Sequence, residues 1–62
     1  MTYAQQQAAK PLAEIWPEYR ALTRSTNPVD HRKARAVRDE LWRCGRHEDW
    51  GMLTNYSIYQ GV

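Results

Sequence analysis

The sequence predicts an all-α protein. An antiparallel helical hairpin, about residues 3–24 and 28–44, is followed by a short third helix over about 47–56 and completed by homodimerisation. Three observations lead there. The stretch from Asn27 to Gly45 has a recognisable helix start, interior and stop. A wide apolar stripe runs from Ala4 to Leu22 at helical spacing. A single domain of 62 residues has little core to spare.

The first helix opens on Thr2-x-x-Gln5, the pattern of a capping box, and continues through good helix formers. Ala4, Ala8, Leu12, Ile15, Trp16, Tyr19 and Leu22 share a face about 140° wide. Pro11 and Pro17 oppose an unbroken helix, since each removes a backbone donor and disfavours helix in the residue before it. Either one helix kinks near Pro17, or, as the favoured arrangement, Pro11 occupies the first position of a helix running to Arg24, with Thr2–Lys10 helical ahead of it. A polyproline ligand is a poor reading, because LAEIW between the prolines is too apolar and too helical in period.

Ser25-Thr26-Asn27 is a tight linker, short enough to make its flanking helices antiparallel neighbours. Asn27 is a favoured N-cap and Pro28 falls at the first helical position. Asp30, three residues after the cap, suits the positive end of the helix dipole and can reach back to free donors. KARAVRDELWR contains no Gly or Pro, and Gly45 supplies the left-handed stop. Ala34, Val37, Leu41 and Cys44 make one narrow apolar stripe. Arg32, Arg35, Asp39, Arg43 and Arg46 line the opposite side, with Arg35–Asp39 and Asp39–Arg43 as expected ion pairs.

Beyond Gly45 the pattern weakens. Trp50, Leu53 and Tyr56, continuing towards Tyr59 or Val62, favour a helix from about His47 to Tyr56. Thr54, Tyr56 and Ile58 alternate as a strand would, but a lone strand has nothing to pair with.

The expectation of a dimer comes from two sources. Area scaling gives about 6,400 Å² buried on folding, contributing roughly 95 kcal/mol, and chain ordering costs about the same. One cysteine makes no internal disulfide, which leaves association as the staple. The first stripe is also wider than its partner, so Ile15 and Trp16 have more surface than the central helix covers. The expected core or dimer interface is Leu12, Ile15, Trp16, Tyr19, Leu22, Val37 and Leu41.

The net charge of +2 is unevenly placed: +1 over residues 1–24, +3 over 25–46 and −2 over the remainder. No secretory signal or long apolar run is present, and a lone cysteine suits a reducing compartment, so a cytoplasmic location is expected. Seven arginines against two lysines hint at a GC-rich bacterial or phage genome.

No catalytic, cofactor or metal signature emerges. Cys44-x2-His47 has ligand spacing, but His31 lies about 20 Å away along the central helix, too far to complete a zinc site. Cys44 and His47 lack an orienting third group for nucleophilic chemistry. There is no Gly-rich phosphate loop and no evident small-molecule substrate. An amphipathic membrane helix is disfavoured by Glu14 and Glu18 on its polar face.

Trp42 belongs to neither face of the central helix, projecting about 100° from Leu41 towards Arg35, Arg38 and Arg46. A neighbouring segment of the chain could cover it. Otherwise Arg35, Arg38, Trp42 and Arg46 form a partner-binding patch of the residue types most enriched at hot spots. The expected function is therefore a non-enzymatic protein–protein interaction module, a homodimer acting as inhibitor, adaptor or regulator. The runner-up is a nucleic-acid-associated regulator using the same arginines. It is weakened by the interrupting Asp30, Asp39 and Glu40 and by two carboxylates starting any recognition helix after Gly45.

Overall fold

In the computed structural model, which describes residues 1–59 and side-chain surroundings as far as Asn55, capping chemistry sets where the helices begin. Thr2 Oγ1 accepts from the Gln5 backbone at 3.2 Å, and Gln5 Oε1 accepts from the Thr2 backbone at 2.9 Å. This reciprocal pair starts α1 (Tyr3–Ala8). Of the two expected arrangements of the first segment, the one that restarts the helix at Pro11 forms, and a single helix over 3–24 does not. Pro11, extended at φ −62° and ψ 150°, stands as the N-cap of α2 (Leu12–Arg24), and the chain turns through Ala9 and Lys10. A proline disfavours helix in the residue before it, which is why the break falls here. Pro17, by contrast, sits inside α2. Ala13, whose carbonyl loses its donor to that proline, is exposed to solvent.

Asn27 caps α3 (Pro28–Arg43), its Oδ1 accepting from Val29 N at 2.9 Å. Asp30 does reach back, but to the Ser25 hydroxyl at 2.7 Å, and that hydroxyl accepts from Asn27 N at 3.0 Å. The linker is thus tied to the helix it precedes. His31 Nε2 donates to the Ser25 carbonyl from one turn further on.

The stop is a full Schellman turn. Arg46 N donates to Leu41 O at 2.8 Å and Gly45 N to Trp42 O at 3.1 Å, with Gly45 at φ +89°. Cys44, expected on the buried stripe, is exposed, because the helix ends at Arg43 and Cys44 already belongs to the cap. Its thiol donates to Leu41 O at 3.5 Å. The last element, α4 (His47–Tyr59), is a helix three residues longer than expected, and no strand forms among the described residues. The side chains of Tyr56, Tyr59 and Val62, to which the third stripe was extended, lie outside the described residues.

All four helices meet at α3, which packs against each of the others. Ile15 and Tyr19 of α2, Ala34, Val37 and Leu41 of α3, Ala8 of α1 and Leu53 of α4 form the core. Leu12, Trp16 and Leu22 are half-buried against it. Leu53, fully buried, adds α4 to the same core. One chain exposes 4290 Å², close to the ~4,200 Å² that scaling gives for a monomer of its mass.

Polar contacts join α1 to its neighbours. Lys33 Nζ lies 5.5 Å over the Tyr3 ring. Burial, and after it a hydrogen bond to Glu18, raise the Tyr3 phenol from 10.0 to about 12. No helix is long and apolar enough to cross a membrane among the described residues.

Candidate functional site

Trp42 and Asp39 stand one turn apart on α3, and the Schellman turn brings α4 back beside them. His47 stacks on Trp42 with ring centroids 4.1 Å apart and planes at 28°. Trp50 meets the same indole edge-on at 4.8 Å and 65°. His47 Nε2 donates to the Trp42 carbonyl at 3.1 Å, which holds the imidazole against the indole. Trp42 is nevertheless 51% exposed. The neighbouring segment α4 thus braces the ring without covering it, and half of it still faces solvent. Asp39, Trp42 and Trp50 line an open cleft of about 370 Å³.

The charges around Trp42 are arranged differently from the expectation. Neither Arg35–Asp39 nor Asp39–Arg43 is an ion pair; the pair formed among the described residues is Arg46–Asp49, at 2.6 Å. Exposed side chains one turn apart gain only a few tenths of a kcal/mol from pairing, little against their rotamer entropy. The Asp39 carboxylate is left without a cationic partner beside two indoles. Arg35 is exposed and Arg38 half-buried, and they precede Trp42 by two turns and one turn of α3.

Arg46, expected beside them, is turned away. Its Nη1 donates to the carbonyls of Ala8 and Lys10 at 2.6 Å each, and its Nε donates to Asp49 Oδ2 at 2.8 Å. The guanidinium caps the end of α1, where free carbonyls concentrate negative charge. That work is structural, and in this conformation the side chain does not share the patch with Trp42.

Of the expected interface or core residues, Ile15, Tyr19, Val37 and Leu41 are buried within the single chain. Leu12, Trp16 and Leu53, with Ala13 and Met52, line a second opening of about 360 Å³ between α2 and α4. Cys44 and His47 each bond to a carbonyl of α3. Among the described residues no group of three or more His, Cys, Asp or Glu side chains is gathered as a metal would require.

The partner-binding patch expected from the sequence does not include Trp50, His47 or Asp39. Trp50 is eight positions beyond Trp42, and only the turn at Gly45 makes them neighbours. No protein-family model, curated protein or solved structure matches the chain.

Proposed function

We propose that this protein is a small non-enzymatic protein–protein interaction module, an inhibitor, adaptor or regulator of another protein. It docks through the α3–α4 face centred on Trp42, with Arg35 and Arg38 at the margin. The observation that carries this reading is the state of Trp42: a large apolar ring, 51% exposed, yet held by His47 and Trp50. A braced aromatic loses little side-chain entropy on binding, which is what makes tryptophan an effective anchor. In this reading α2 and α3 form an antiparallel hairpin, and two copies associate through the opening lined by Leu12, Trp16 and Met52. Met52 is 54% exposed there, and light scattering tests the dimer as a doubling of mass.

The docking reading is tested by quantitative capture from nuclease-treated lysate on immobilised wild type and Trp42→Ala. A protein retained by the wild type and lost with the variant, whose circular dichroism is unchanged, is expected. Equal retention by both overturns the reading. A second reading, nucleic-acid association, draws on the exposed Arg32, Arg35 and Arg43, none of which is engaged by an ion pair. A phosphate contact made by these side chains would weaken steeply between low and physiological salt.

A further inference from the structure

We propose that the Asp39–Trp42–Trp50 cleft receives a basic side chain of the docking partner, from a segment in which acidic residues flank the basic one. This rests on the docking reading above and names the chemistry of its centre. Three observations converge on it. Two indoles meet edge to face at 4.8 Å and line a shared opening of about 370 Å³. The electron-rich face of tryptophan is the best neutral surface for an organic cation. Asp39 adds a formal negative charge at the same opening and, among the described residues, no cation of the chain neutralises it.

Among the described residues none of the chain's own cations is paired with Asp39. Arg46, the nearest in sequence to α4, is held by Asp49 and the carbonyls of Ala8 and Lys10. His47 lies flat on Trp42 with its Nε2 committed to a backbone carbonyl. Arg35 and Arg43 stand one turn on either side of Asp39, both exposed and neither paired with it. They would repel an isolated cation. A segment carrying a basic residue between acidic ones satisfies both, the basic group over the indoles and the carboxylates on the arginines.

The test uses two peptides, acetyl-Glu-Ala-Lys-Ala-Glu-amide and the same peptide with norleucine in place of lysine. They are titrated into the full chain while the indole N–H signals are followed by NMR. The lysine peptide is expected to move the Trp42 and Trp50 signals, leave Trp16 in place, and bind roughly threefold to tenfold more tightly than the norleucine peptide. In Asp39→Asn that preference should shrink, because the norleucine peptide loses nothing when the carboxylate is removed. Equal affinity for both peptides, shifts confined to Trp16, or a preference unchanged in Asp39→Asn overturns the cation site. The docking reading stands or falls separately, on capture by Trp42→Ala.

Discussion

Arg46 Nη1 donates to the carbonyl oxygen of Ala8 at 2.6 Å, joining positions 38 residues apart. The same nitrogen reaches Lys10, while Asp49 holds the far side of the guanidinium. A helix as short as α1 is not stable by itself, so its docking depends on contacts such as this and Ala8 in the core. Arg46→Gln should cost about 2–3 kcal/mol in urea denaturation, the usual range for charge-assisted hydrogen bonds that leave partly buried acceptors behind. An unchanged midpoint would show that α1 is held by apolar contacts alone.

Leu41 is completely buried in the last turn of α3, where it meets the rest of the core. Leu41→Ala should cost about 2–4 kcal/mol. A chain this small commonly has only ~3–5 kcal/mol to lose, so circular dichroism should show a largely unfolded population at room temperature.

The glycines should respond in opposite directions. Gly45 sits at φ +89°, and a Cβ there meets no atom within 4 Å, so Gly45→Ala incurs backbone strain alone, about 1–2 kcal/mol. Gly51 lies inside α4 with equally open space, so Gly51→Ala should stabilise by roughly 0.5–1 kcal/mol. Thermal melts of the two variants should move apart, one below and one above the parent.

Tyr3 makes stability depend on alkaline pH. Its phenol is raised from 10.0 to about 12, so folding favours the protonated form. That contribution is complete below pH 10 and disappears as pH rises through about 12. Tyr3→Phe should flatten this part of the alkaline limb, compared as urea midpoints at about pH 9 and about pH 11.5.

Local chemistry made much of the fold legible. The Thr2–Gln5 box, the Asn27 cap and the Gly45 stop all act over three or four residues, and each forms as the pattern implies. Pro11 divides the first stripe because periodicity reports which side chains share a face, not whether the backbone between them is continuous. The site was half legible. Trp42 stood out by lying between two faces, but Arg46 read as its neighbour because helix geometry was extended past the helix end. The partners Arg46 takes are 36 and 38 positions away, and no local pattern encodes them.

Docking through Trp42 requires another protein to cover the α3–α4 face. Hydrogen exchange of the backbone amides, with and without the captured partner, measures this most directly. Added protection is expected at Arg38–Trp42 and around Trp50, with the Leu12–Trp16 stretch of α2 unchanged. Protection on α2 with none at Trp42 would contradict it.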